Sequence, residues 1–139
     1  MSRRLRERGS ASIFVLGMSL VLMVCAGLVV DGGLAINARM RIADDAEQAA
    51  RAGADAINIE ALRDEQGITI NPAEASQRAS DYLRGRGYAD NEFTVLPELD
   101  RVVVTINDKT ETSLLKLINI DDFPINARAV STPETEADP

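Results

Sequence analysis

From Ala11 to Val30 the chain runs for twenty residues without a charge, "ASIFVLGMSLVLMVCAGLVV", and sixteen of the twenty are apolar. At about 1.5 Å per helical residue such a run spans roughly 30 Å, the thickness of a bilayer's hydrocarbon core. The exceptions, Ser12, Gly17, Ser19 and Gly27, are residues that a membrane helix tolerates. A removable export signal shares the order of basic then apolar segments, but its apolar region is about 7–15 residues long. The run therefore reads as a retained transmembrane helix. Cys25, the sole cysteine, lies inside it and reads as a small apolar side chain.

The helical pattern does not end with the apolar run. Leu34, Ala38, Ile42, Ala46, Ala49, Gly53, Ala56 and Ile57 recur in steps of three and four with charges between them. Alanine is the strongest helix former, and no proline occurs before Pro72. The pattern predicts a single helix reaching Arg63, with a kink allowed at Asp31-Gly32-Gly33. Its first half is apolar all round and its second half amphipathic. Ala46 and Ala50, Ala49 and Gly53, and Ala52 and Ala56 give a small-xxx-small spacing that admits close backbone approach. Ala46, Ala49, Ala50, Gly53 and Ala56 thus form a candidate helix-packing face, for a partner or for the chain's own domain. Asp44, Asp45 and Glu47 invite a metal reading, but adjacent helical residues diverge by about 100°. No ligand loop accompanies them, so they read as a solvated face.

Beyond Gln66-Gly67 the period changes. Asn71-Pro72-x-Glu74 is an N-cap, first-turn proline and N3 acid, opening a helix that ends at Gly85 or Gly87. Ala75, Ala79, Tyr82 and Leu83 share one face of it. "EFTVLP" and "RVVVTIND" read as strands joined by a tight turn at Pro97–Asp100, hence an antiparallel hairpin. "TSLLKLINI" reads as a short helix or apolar turn. "FPINARAVSTP" alternates Ile125, Ala127 and Ala129 against Asn126 and Arg128 as a last strand. The fold class is α+β: a long N-terminal helix packed with a small antiparallel sheet and one or two short helices. Since so small a sheet makes a marginal core alone, it is expected to pack on the long helix.

Charge then orients the picture. Arg3, Arg4, Arg6 and Arg8 precede the apolar run, whereas the chain after Val30 carries 11 basic and 21 acidic side chains. By the positive-inside rule the N-terminus is cytoplasmic and the acidic body extracytoplasmic. An acidic body is a poor nucleic-acid partner, because that binding rests on cations neutralising phosphates. With no histidine and one cysteine within the apolar run, no nucleophile-base pair or metal-ligand cluster is legible. "GRG" at Gly85–Gly87 follows a helix instead of opening one and reads as a turn, not a phosphate loop. No catalytic residue, metal, cofactor or small-molecule substrate is expected.

Three stretches carry a family resemblance: "RERGSAS" at 6–12, "VVDGGLAINARMRIADDAEQAARAGADA" at 29–56 and "VVVTINDKTETSLLKLINIDDFPINARAVS" at 102–131. Together they resemble the TadE/TadG-like pilus-assembly proteins of tight-adherence (Flp-type) secretion systems. The resemblance implies a non-enzymatic, pseudopilin-like component of a membrane-anchored pilus machine. Its partners would be other pilin-like or assembly proteins, met through the N-terminal helix in a homo- or hetero-oligomer. Cleaved relatives are cut by a prepilin peptidase after a Gly, with a Glu five residues into the mature chain. Here Gly9-Ser10 matches the cut, but Phe14 stands where that Glu belongs. An uncleaved TadG-like accessory role is therefore favoured over a TadE-like minor pilin, with a secreted binding domain as a further alternative. The expected organisation is a basic cytoplasmic segment at 1–10, a transmembrane helix at 11–30 and an amphipathic helix at 31–64. A small extracytoplasmic α+β domain at 65–132 and a disordered acidic tail at 133–139 follow.

Overall fold

Arg4–Ala54 form one helix, α1, of 51 residues in the computed structural model, which describes residues 4–63 and 67–133. Gly32-Gly33 do not interrupt it. Five shorter elements follow: α2 (Ile59–Arg63), α3 (Pro72–Gly85), β1 (Phe93–Pro97), β2 (Val102–Glu111) and β3 (Asp122–Ser131), with a 3-10 turn (Leu115–Ile118) between the last two strands. The class is α+β, with the three strands in the order β1-β2-β3 in one antiparallel sheet. Of the residues expected to set topology, Arg4, Arg6 and Arg8 fall within α1, and Arg3 lies outside the described residues. The acidic tail lies outside them from residue 134 onward.

The chain forms two compact units, one of residues up to Ile36 with Thr110–Phe123, the other of Asn37–Lys109 with the chain from Pro124 onward. In the first unit, α1 leaves Ile13, Phe14, Leu16, Leu20 and Val29 exposed. Only 6% of its most apolar stretch is buried, so this is not the core helix of a globular domain. The 3-10 turn ends at Asn119, which has a left-handed φ of 67° and whose N–H reaches Lys116 O at 3.1 Å. Thr112 Oγ1 donates to Ile120 O across the base of the turn.

In the second unit the amphipathic pattern becomes a core. Ile42, Ala46, Ala49, Ala50 and Ala54 of α1 are buried with Ala75, Ala79 and Leu83 of α3 and Val102, Val104 and Ile106 of β2. Asn71 caps α3 as the sequence predicts, accepting from Ala73 N at 3.2 Å and Glu74 N at 3.4 Å through its side chain. The β1–β2 register pairs Phe93 with Ile106, Val95 with Val104 and Pro97 with Val102, putting the alternating apolar residues on one face. Ile125, Ala127 and Ala129 of β3 join the same core.

The expected end of the long helix is not where the structure places it. The predicted helix through Arg63 stops at Ala54. Ala56 N turns back to Gly53 O, and the next backbone groups pair with residues 69–71 instead of continuing the helix. Asn58 N donates to Thr69 O at 2.7 Å, Asn71 N to Ala56 O at 2.8 Å, and Ile57 bridges Ile70. Asn58 then opens α2 by accepting from Ala61 N at 3.2 Å. Alanine-rich propensity yields here to tertiary hydrogen bonding around a β-branched residue.

Candidate functional site

Two arrangements stand out, one in each unit. In the first, Asp31 follows the uncharged run directly and is 1% exposed. Its carboxylate accepts from three consecutive backbone amides: Ser113 N at 2.8 Å, Leu114 N at 3.0 and 3.2 Å, and Leu115 N at 2.6 Å. These are the donors that the start of a 3-10 or α-helix leaves without intrahelical partners. Burial opposes the charge on Asp31, but the amides of Leu115, Ser113 and Leu114 outweigh it and hold the carboxyl below the usual carboxylate range. The contact is close because Gly27, one turn earlier, has no side chain: a Cβ there would meet Leu114 Cβ at 3.2 Å. Beside it Leu20, Met23, Val24 and Gly27 of α1 and Leu114, Leu115, Leu117 and Ile118 line an apolar groove of about 120 Å³.

In the second unit, Asp45 is 4% exposed and accepts from Arg86 Nε at 2.9 Å and from Tyr88 OH at 2.8 Å. The sequence delivers both donors through one turn. Gly87 takes φ 99° after α3, Gly87 N reaches Arg84 O, and Tyr88 N reaches Leu83 O at 3.1 Å. That left-handed step favours glycine, and it brings Tyr88 to the same carboxylate that Arg86, at the end of α3, already reaches. The bond to Asp45 holds the Arg86 guanidinium more firmly protonated. Burial first, and then the Asp45 hydrogen bond, push the Tyr88 phenol above its ordinary value. A group whose folded pKa is raised stabilises the fold below its unfolded value, about 10 for tyrosine, and loses that contribution as pH rises. Tyr88→Phe is expected to cost about 1 kcal/mol at neutral pH and to flatten this alkaline loss. Urea unfolding followed at pH 8 and again above pH 10 measures both effects.

The sequence-derived candidates fall as follows. Ala46, Ala49, Ala50, Gly53 and Ala56 are buried within the chain's own second unit. A Cβ on Gly53 would lie 3.1 Å from both Ala75 O and Val102 Cγ1, so α3 and β2 already occupy this face. Ser10 and Phe14 are exposed on α1, and Gly9 lies in its first turns. Cys25 is exposed on the apolar part. Asp44 is exposed, and Glu47 pairs with Arg51 at 2.6 Å. Asp45 corrects the solvated-face reading. It stands three residues after Ile42 and four before Ala49, a helical phase that turns it inward. Among the described residues, no group of three or more Cys, Asp or Glu side chains is placed to hold a metal ion.

The two units define a class: an α+β protein whose long helix leaves one end apolar and uncovered and builds the other into a small core. Residues 9–56 match the family described as "Putative Flp pilus-assembly TadE/G-like", so this segment is similar to that family. The match spans the apolar run, Asp31 and the core-forming part of α1. No curated protein and no solved structure matches the chain.

Proposed function

We propose that the chain is a non-enzymatic, single-pass membrane component of a Tad/Flp-type pilus-assembly system, with a TadG-like accessory role. The observation that carries this reading is the TadE/G-like segment itself, which begins at the basic-to-apolar junction and ends just past α1. Within it, residues 11–30 anchor the chain with the N-terminus cytoplasmic, and the acidic second unit stands outside the membrane. The small-residue face is occupied by α3 and β2, so lateral contacts with other pilus components fall to the uncovered apolar part of α1. There side chains such as Leu16 and Val29 are largely exposed. Phe14 in place of a glutamate fits a chain that keeps its first nine residues and stays a fixed membrane component.

One observation favours a second reading. Gly9-Ser10 follows a basic leader directly, as a prepilin cleavage site does, which suits a TadE-like minor pilin. Deleting the gene in its native host and restoring it in two forms tests the functional class. The full chain is expected to restore surface pili, and a chain lacking residues 11–30 is not. Normal piliation in the deletion strain would remove the pilus-assembly role under both readings.

A further inference from the structure

The 3-10 turn is an unusual neighbour for a membrane anchor. Leu114, Leu117 and Ile118 are exposed, Leu117 by 67%, although the loop has charged neighbours at Glu111, Asp121 and Asp122. Between these acids the segment 112–120 carries one charge, Lys116. The turn's side chains line the same groove as Leu20, Met23, Val24 and Gly27. With a rise of about 1.5 Å per residue, Met23 and Leu20 lie roughly 12 and 16 Å along α1 from Asp31, the depth of one leaflet.

We propose that the turn Leu114–Ile118 is a second membrane-inserted element, seated in the hydrocarbon of the leaflet nearest Asp31 beside residues 20–27 of α1. The inference rests on the reading of residues 11–30 as a membrane anchor, and it commits to phospholipid acyl chains as the occupant of the groove and the cover of the exposed leucines. Two independent features support it. The first is continuity: the exposed apolar side chains of the turn extend the uncovered apolar surface of α1. The second is the backbone. Non-helical backbone enters hydrocarbon only where its polar groups are satisfied within the protein. Asp31 takes the amides of Ser113, Leu114 and Leu115. Leu117 N reaches Leu114 O, Asn119 N reaches Lys116 O, and Ile120 N reaches Leu115 O. Lys116 has a stem long enough to carry its ammonium back toward the phosphates.

The test places an environment-sensitive nitrobenzoxadiazole label on single cysteines of the full chain in a Cys25→Ser background. The protein is reconstituted in phosphatidylcholine–phosphatidylglycerol vesicles. Leu117→Cys reports the turn, Leu16→Cys the anchor and Thr94→Cys, exposed on β1, the aqueous control. Spin labels on the lipid acyl chains are expected to quench most emission at positions 117 and 16, with little quenching by aqueous iodide, and the reverse at 94. Acyl-chain quenching at 16 with free iodide access at 117 would overturn the inference and leave the anchor intact. Acyl-chain quenching at neither position would overturn both.

Discussion

Gly53→Leu is expected to destabilise the second unit strongly. A Cβ alone at Gly53 would press to 3.1 Å from Ala75 O and from Val102 Cγ1, and to 3.4 Å from Ala79 Cβ. The first of these contacts is backbone and cannot swing aside, so the rest of a leucine side chain must drive α3 and β2 away from α1. Overpacking of this kind costs about 1–3 kcal/mol and sometimes more, against a total stability for small domains near the bottom of the usual range of about 5–15 kcal/mol. Amide exchange is the measurement: Val102–Ile106 and the α3 amides are expected to lose protection in Gly53→Leu. Gly33→Ala makes the contrast, since nothing lies within 4 Å of a Cβ there. Replacing a mid-helix glycine at such a site is expected to be neutral or to stabilise by about 0.5–1 kcal/mol. Equal protection in Gly53→Leu and the parent would show that the close approach is absent in solution.

That pair of glycines also shows what was legible in the sequence. The steps of three and four gave the correct buried face of α1 from Ile42 to Gly53, because helical period alone decides which side chains share a side, whereas Leu34, in the same steps, is exposed. Period does not say what covers the face. The small-xxx-small spacing of Ala46, Ala49, Ala50, Gly53 and Ala56 suits a neighbouring protein and the chain's own sheet equally well, and the structure supplies α3 and β2. The cap of α3 and the β1–β2 hairpin were readable because Asn71-Pro72 and the valine-rich runs act locally. The end of α1 was not, since the bonds that stop it come from residues 69–71. Asp45 was readable by helical phase and was hidden by its acidic neighbours. Asp31 was visible only as the first charge after the apolar run. Its role depends on amides 82 to 84 residues away, which no local pattern encodes.

Asp31→Asn is expected to release the 3-10 turn. Both carboxylate oxygens accept from backbone amides, and an asparagine must turn an NH2 toward one of those donors, leaving amides without an acceptor. Protection of the Ser113, Leu114 and Leu115 amides should fall to that of an open loop. The pH dependence follows from the lowered pKa of Asp31. A carboxyl whose folded pKa is depressed contributes in full above its unfolded value, about 3.9, and loses that contribution as pH falls through the lower folded value. The turn should therefore stay protected at pH 5 and open only in stronger acid. The Asp31→Asn variant should show no such acid transition. Protection at these three amides that survives the substitution would contradict the pinning role of Asp31.

The proposed function turns on whether the first segment of α1 stays with the working protein. Intact mass spectrometry of the chain recovered from washed membranes of its native host decides this most directly. The anchored accessory reading predicts a membrane-bound chain that still carries residues 1–9, with Gly9-Ser10 uncut whether or not a prepilin peptidase is present. A mature chain that begins at Ser10 and disappears when that peptidase is deleted, or a soluble product that has lost the apolar run, would contradict it.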